Sequence, residues 1–253
     1  MTSAVSLRGL RKSFGTLEAI SPIDLEIEQG SFVSVIGPSG CGKSTLLRIV
    51  AGLEPATTGE AVVNDEPAAV ARRRKHVAIV PQNPGLLPWR TVRANARLLL
   101  DVNRKANGAT TTDPIELLER VGLGSFLDVR PHELSGGMQQ RVALVRALAL
   151  GAPLLAMDEP LAALDEITRS EMRGLLNQLV EGRGVTTLFV THSIAEAVAL
   201  SDRVLVMSPR PGRIVADIPI DLPRPRRDDL DDDPRFFELG MQVRHALLAG
   251  AHR

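Results

Sequence analysis

Ser31-Phe32-Val33-Ser34-Val35-Ile36-Gly37-Pro38-Ser39-Gly40-Cys41-Gly42-Lys43-Ser44 is the stretch on which the fold turns. Residues 31–36 read as a buried strand, because apolar side chains dominate and Glu28-Gln29-Gly30 supplies a turn before them. Residues 37–42 are rich in glycine, and from Lys43 to Val50 the apolar spacing turns helical until Gly52 supplies a stop. Strand, glycine-rich turn and helix, with Lys-Ser at the helix start, make the full phosphate-binding loop pattern. The glycines let successive backbone N–H groups converge on phosphate oxygens. The helix N-terminus adds the positive end of its dipole. In such a loop Lys43 reaches the β- and γ-phosphates of a nucleotide, and the Ser44 hydroxyl reaches Mg²⁺. Cys41 has no required task there and reads as a tolerated small side chain.

Upstream, residues 5–10 and 23–27 alternate as strands do, and residues 60–63 read as a short strand. Downstream, the apolar run at 77–80 precedes Pro81-Gln82. From about residue 91 to 150 strand signals vanish, and helical patterns occupy 92–101, 114–121 and 138–150. Thr111-Thr112-Asp113-Pro114 supplies a cap and a helix-starting proline. This region reads as a helical subdomain inserted into an α/β core. The core resumes with strands at 153–157, 185–190 and 203–207 and helices at 168–181 and 194–200. Such alternation predicts a largely parallel, doubly wound sheet. After Ile220, residues 223–233 form a linker of Pro, Arg and Asp with little to bury. A helix is expected over 234–248, as an exposed tail lying loosely on the core.

Composition narrows the classes. The chain has 253 residues, enough for one large domain or two small ones around a proper core. Its 44% hydrophobic and 24% charged content excludes wholesale disorder. Thirty basic side chains balance thirty acidic ones, so no basic excess points to nucleic acid or an anionic membrane surface. The single cysteine makes no internal disulfide and suits a reducing compartment. No uncharged apolar run approaches the ~20 residues of a membrane span. Residues 1–10 lack a signal-peptide core. The expectation is a cytosolic chain whose membrane contact comes through a partner.

Two further stretches carry chemistry. Leu154-Leu155-Ala156-Met157-Asp158-Glu159 is an apolar strand ending in two acids. Acids at the C-terminal end of a core strand lie beside the phosphate loop in such sheets. Asp158 is suited to hold Mg²⁺ through water, and Glu159 to polarise the water that attacks the γ-phosphate. Leu134-Ser135-Gly136-Gly137-Met138 places a hydroxyl and two glycines at a helix start, a second anion site. The first loop already cradles one nucleotide's phosphates. The second site is therefore expected to grip the γ-phosphate of a nucleotide held by another copy.

On these residues the chain resembles the ATP-binding subunit of an ABC transporter over nearly its whole length. The phosphate loop, Leu134-Ser135-Gly136-Gly137-Met138-Gln139-Gln140-Arg141, Asp158-Glu159-Pro160, Leu164-Asp165 and His192 occur in the family's order. The resemblance implies ATP and Mg²⁺ as cofactors. It implies that Gly37, Pro38, Ser39, Gly40, Cys41, Gly42, Lys43, Ser44 and Thr45 hold the nucleotide, and that Phe14 stacks on adenine. By the same resemblance Gln82 touches both Mg²⁺ and the attacking water, and His192 contacts the γ-phosphate. Asp165 belongs to the loop that crosses the dimer interface, and Ser135, Gly136 and Gly137 face the other copy's nucleotide. The implied fold is an α/β P-loop NTPase core with an N-terminal antiparallel β subdomain and an inserted α-helical subdomain. Residues 1–222 would form this ATPase domain, with the helical subdomain at about 83–150, and residues 223–253 a linker and tail. Met138 stands where many members carry Gln and leaves the Ser135 and glycine contacts; Ala162 stands where Ser or Gly is common, which weakens one interface hydrogen bond but leaves Asp165.

Pro81-Gln82-Asn83-Pro84-Gly85-Leu86-Leu87-Pro88-Trp89, Met138 and Met207-Ser208-Pro209-Arg210-Pro211-Gly212-Arg213-Ile214 resemble the nitrate, sulfonate and taurine importer branch. Importers of pyrimidine vitamin precursors share these features. The resemblance implies a homodimer of ATPase subunits, two integral membrane permease subunits and a separate solute-binding protein. It places the chain peripherally at the cytoplasmic face of the inner membrane, with no nucleic-acid partner. Residues 86–89, with the only Trp, are either the docking patch for a permease helix or a packed loop. The rival class is a soluble ABC-type ATPase acting on nucleic acid. Such chains tend to carry two cassettes or coiled-coil inserts, and this one has a single cassette and no heptad run. A P-loop kinase would explain residues 37–44 but not 134–138.

Overall fold

The N-terminal alternation becomes two long antiparallel strands, β1 (Ser3–Phe14) and β2 (Leu17–Glu28), which bury Val5, Leu7, Leu10, Ile23, Leu25 and Ile27 on one side. The computed structural model describes residues 3–108, 111–180, 184–226, 230 and 233–251. The chain continues through β3 (Phe32–Ile36), α1 (Lys43–Val50), β4 (Thr58–Val63), β5 (Glu66–Pro67), α2 (Ala68–Arg73) and β6 (Val77–Val80). A helical stretch follows: α3 (Val92–Ala96), α4 (Leu98–Asp101), α5 (Pro114–Arg120) and α6 (Gly136–Leu148). Then come β7 (Leu154–Asp158), α7 (Glu166–Val180), β8 (Thr186–Val190), α8 (Ile194–Leu200), β9 (Arg203–Met207), β10 (Ile214–Pro219) and α9 (Pro234–Ala251).

Two sheets organise these elements. The first is four-stranded and antiparallel, in the order β2-β1-β4-β5. The second is six-stranded, in the order β10-β9-β3-β8-β7-β6. It is parallel throughout except for β10, which runs antiparallel along one edge. All five residues of β3 are buried, as a strand covered on both faces requires. Because β3, β6, β7 and β8 are parallel, the loops leaving their C-terminal ends open on the same side. The helical stretch packs its own apolar faces together: Val92, Ala96, Leu117, Leu118, Val142 and Val145 share one core with Phe32, Leu155 and Phe189 of the sheet. Among the described residues no helix is long and apolar enough to cross a membrane.

The predicted α/β core with its antiparallel β layer and helical insertion is the observed architecture. Local readings change in three places. The single helix expected over 92–101 is two short helices that meet at Arg97. The strands β5 and β10 and the helix α2 carry too little periodicity to read. Thus β10 is a half-exposed edge strand ending in Pro219, and pairing with β9 makes it one. The C-terminal segment is not a loosely packed tail. Helix α9 buries Phe236, Leu239 and Val243 against Ile36, Val198, Val204 and Val206. Before it, Arg224 and Arg226 donate to the carbonyls of Leu200 and Ser201 at 2.8 and 2.6 Å, cations placed at the C-terminal end of α8. The rest of the acidic linker reading, at 227–229 and 231–232, lies outside the described residues, as does Glu181.

Leu239 is 1% exposed in the core that α9 forms with β3, α8 and β9. Leu239→Ala is expected to lower the unfolding free energy by about 2–4 kcal/mol, measured by denaturant titration, through lost burial and a cavity that relaxes only partly.

Candidate nucleotide and hydrolysis site

Residues 37–42 link the buried end of β3 to α1, whose N-cap is Gly42 with φ 107°. Ser39 and Gly40 stand exposed at the tip, Gly37 is buried, and Thr45 is half-buried in the first turn of α1. Lys43 is only 5% exposed, and its Nζ donates to the carbonyls of Gly37 and Pro38 at 2.9 and 3.0 Å. Its charge therefore lies over the turn. Ser44 Oγ donates to Asp158 Oδ1 at 2.8 Å, which joins the start of α1 to the end of β7. Cys41 is 1% exposed, and burial raises its thiol pKa against the pull of Lys43. A buried, protonated thiol is inert, as the small-residue reading expects.

The acids at the end of β7 sit between the ends of β6 and β8. Glu159 takes a left-handed backbone, φ 45°, and donates its N–H to Val190 O at 2.9 Å. A non-glycine residue in that region costs of order 1 kcal/mol and marks a turn that the surroundings impose. Glu159 Oε2 lies 3.5 Å from His192 Nδ1 and accepts from Gln82 Nε2 at 3.5 Å. Three side chains from three neighbouring strand ends thus meet at one carboxylate oxygen. With Lys43, Ser44 and Asp158 they form a continuous polar floor along the sheet's C-terminal edge.

Ser135, Gly136, Gly137 and Asp165 form a second cluster. Ser135 Oγ accepts from Met138 N–H at 3.3 Å and caps α6. A Cβ on Gly137 would stand 2.7 Å from Thr168 Cγ2, so a bare backbone is required for α6 to pass α7 there. Gly136 faces open space. Asp165 accepts from the backbone N–H and the hydroxyl of Thr168 at 3.0 and 2.8 Å, and these bonds hold its carboxyl below the usual range. Within one chain, then, Asp165 ties down the start of α7. Phe14 is 48% exposed, with Lys12 Nζ 4.7 Å from its ring centroid; it is no core residue. Lys12 is itself held by Glu54 at 2.5 Å and by Pro55 O at 2.8 Å.

Sequence reading missed the side chains that hold these loops. Arg146 of α6 donates to Gly85 O and Pro84 O at 2.9 and 2.6 Å, behind Gln82. Buried Asn95 donates to the carbonyls of Leu87, Arg90 and Thr91 and accepts from Leu87 N–H at 2.7 Å. Trp89 nevertheless stands 70% exposed, while Leu86 packs on the helical core. Leu86 therefore fits the packed-loop reading, and Trp89 does not pack in the core. A bridge also joins the two clusters. Arg169 Nη2 donates to Leu164 O at 2.8 Å, and its Nε lies 3.6 Å from Glu196 Oε1. Glu196 in turn accepts from Thr191 Oγ1 at 2.5 Å, one residue before His192.

The sheet order, the inserted helices and the loop from β3 to α1 define an ATP-binding cassette, an ATPase. The chain belongs to the ABC transporter family, which residues 20–162 match. It is 48% identical over 224 residues to the aliphatic sulfonates import ATP-binding protein SsuB of Rhodopseudomonas palustris, covering 88% of this chain and 77% of that one. It is 46% identical over 252 residues to SsuB 1 of Rhizobium johnstonii, covering 99% and 89%. Among solved structures it resembles the dimeric form of MJ0796, a bacterial ABC transporter cassette, with TM-score 0.75 and 31% identity over 86% of this chain and 99% of that one. A post-hydrolysis dimer of MJ0796 bound to ADP and Pi matches with TM-score 0.71 and 32% identity, at the same coverages.

Glu196 is 4% exposed, and desolvation raises its pKa despite Thr191 and Arg169. A raised folded pKa contributes stability at low pH that is lost as pH rises through it. Glu196→Gln does not titrate. Its unfolding free energy relative to the parent chain is therefore expected to increase as pH rises above the ordinary glutamate value of 4.5. Denaturant titrations of both chains across that range measure the difference.

Proposed function

We propose that this chain is the ATP-hydrolysing subunit of an importer for aliphatic sulfonates. The cargo rests on one observation: relatives 43–48% identical over 88–99% of the chain carry the name aliphatic sulfonates import ATP-binding protein. Those names favour neither pyrimidine precursors nor a nucleic-acid ATPase. A zero net charge also gives the nucleic-acid reading no electrostatic footing.

In this reading residues 37–45 cradle the phosphates of ATP, and Lys43 exchanges loop carbonyls for phosphate oxygens. Ser44 and Asp158 hold oxygen donors 2.8 Å apart beside the loop, a set that suits a hard cation. Among the described residues no group of three or more His, Cys, Asp or Glu side chains is fit to hold a metal alone. Mg²⁺ would thus be held by Ser44 and Asp158, with Gln82 nearby, and the nucleotide itself. When bound, it supplies charge neutralisation across the β- and γ-phosphates. Glu159 orients and polarises the attacking water, and His192 and Gln82, within 3.5 Å of Glu159 Oε2, keep that carboxylate in place and face the γ-phosphate. Phe14 offers a half-exposed ring to adenine.

A complete site takes two copies. Ser135, Gly136 and Gly137 of one copy would close over the nucleotide of the other, with Asp165 at the interface. The dimeric cassettes among the similar structures support that geometry. Closure and hydrolysis would drive two permease subunits at the cytoplasmic face of the membrane, supplied by a separate solute-binding protein. Exposed Trp89 is the docking point proposed for a permease. Residues 1–222 act as the ATPase unit, with the helical subdomain at about 83–150.

Glu159→Gln is expected to bind ATP but lose about 10²–10⁴-fold in turnover, and to accumulate an ATP-dependent dimer on size exclusion. Normal hydrolysis would assign the water to another base. For the cargo, a deletion strain should fail to grow on an alkanesulfonate as sole sulfur source yet grow on sulfate. Rescue by the parent chain and not by Glu159→Gln completes the expected result. Normal growth on the sulfonate overturns the cargo assignment and leaves the ATPase standing.

A further inference from the structure

We infer that Arg210 is a positioning residue of the phosphate loop that sets its affinity for ATP, an inference that rests on reading residues 37–44 as the phosphate cradle. Arg210 sits in the turn between β9 and β10, far from the loop in sequence. Its Nε and Nη2 both donate to the carbonyl of Gly40, at 3.3 and 3.0 Å. The N–H at the other end of that same peptide unit, on Cys41, donates to Pro38 O at 3.3 Å. The Gly40–Cys41 peptide is therefore pinned at both ends.

Pinning matters at this place because Gly40 has φ 75° and no side chain to resist rotation. A peptide unit that flips in an anion-binding turn replaces an N–H with the partial negative charge of a carbonyl. Lys43 occupies the carbonyls of Gly37 and Pro38, and Arg210 occupies that of Gly40. Two cations thus hold the carbonyl dipoles of the turn, and each adds positive potential for a polyphosphate.

The turn that carries Arg210 is built to hold still. Ser208 N–H donates to Arg213 O at 2.9 Å, and Ser208 Oγ accepts from Arg213 N–H at 3.1 Å. Gly212 donates to Ala19 O at 3.0 Å and accepts from Ser21 N–H at 3.1 Å, which anchors the turn to β2. A Cβ on Gly212 would stand 2.1 Å from Cys41 O, so only glycine lets this turn lie directly on the phosphate loop. The stretch from Met207 to Ile214, a mark of the importer branch by sequence, is in space the outer wall of the nucleotide loop.

The test uses the full chain, with ATP as ligand, and reads KM, kcat and equilibrium Kd. Arg210→Ala and Arg210→Gln should each raise KM and Kd about tenfold, a charge-assisted bond discounted for exposure, with kcat within about twofold of the parent. Arg210→Lys, which keeps the charge and one donor, should stay within about threefold. The glutamine chain decides the outcome if the alanine chain does not fold. Unchanged KM and Kd in the folded variants, or lost kcat at unchanged KM, would overturn the assignment. Lys43→Ala separates the two levels. If it alone abolishes ATP binding, only the role of Arg210 falls; if it too binds ATP normally, the phosphate-loop reading fails.

Discussion

A turn proposed to bind phosphate must keep its carbonyl groups occupied, and the elements on either side of residues 37–42 meet that requirement. Strand β3 is buried along its whole length between β9 and β8, so the turn starts from a fixed point. It ends on α1, which packs against β7 and β8. Between those supports the carbonyls of Gly37, Pro38 and Gly40 are taken by Lys43 and Arg210. The carbonyls of the turn are thereby kept from an incoming anion, and the Cys41 N–H is fixed by Pro38 O at 3.3 Å.

The same sheet explains why the groups proposed for hydrolysis are neighbours. Its order runs β3-β8-β7-β6, and those strands are parallel. The residues just past their ends are the phosphate loop, Thr191 and His192, Glu159, and Gln82. Chain connectivity scatters these positions over more than half the sequence, and strand order reunites them within three strand spacings. Glu159 Oε2 is where they converge, 3.5 Å from both His192 and Gln82. Beside that point, Thr191, Glu196, Arg169 and the carbonyl of Leu164 form a polar line that ends next to Asp165. Loops expected to face a second copy are therefore joined physically to the loop that carries His192.

Groups that act through their own local sequence were legible in it. Gly37 to Ser44 is readable because strand, glycines and helix are contiguous. Asp158 and Glu159 are readable because they end an apolar run, and Ser135 because it starts a helix with two glycines behind it. What could not be read is the set of side chains whose partners are distant in the chain. Arg146 looks like an ordinary helical arginine until the carbonyls of Pro84 and Gly85 are folded onto it. Glu196 looks like a solvent-facing acid in the first turn of α8, yet it is 4% exposed. Asn95 lies in a short helix and satisfies four backbone groups of the loop before it. The helix α9 is legible, but its packing on the core is not, for a related reason. Its apolar residues are many but stand on the exposed side as well, at Phe237, Met241 and Leu248, so no clean stripe marks the face that β9, β10 and α8 cover.

That surface links the C-terminal segment to the chemistry. Helix α9 lies on β9, β10 and α8, and its Phe236, Leu239 and Val243 share a core with Val204 and Val206 of β9 and Ile36 of β3. Burying each such side chain is worth roughly 1.5–3 kcal/mol. The two hydrogen bonds from exposed Arg210 to the one Gly40 carbonyl contribute less than these side chains together. The balance decides which partner yields. The β9–β10 hairpin, held by several buried side chains, stays where the core places it, and the Gly40 peptide, free of any side chain, conforms to the arginine. A C-terminal helix remote from the nucleotide in sequence thereby supports the outer face of the phosphate loop, through packing on one side of the hairpin and a guanidinium on its turn.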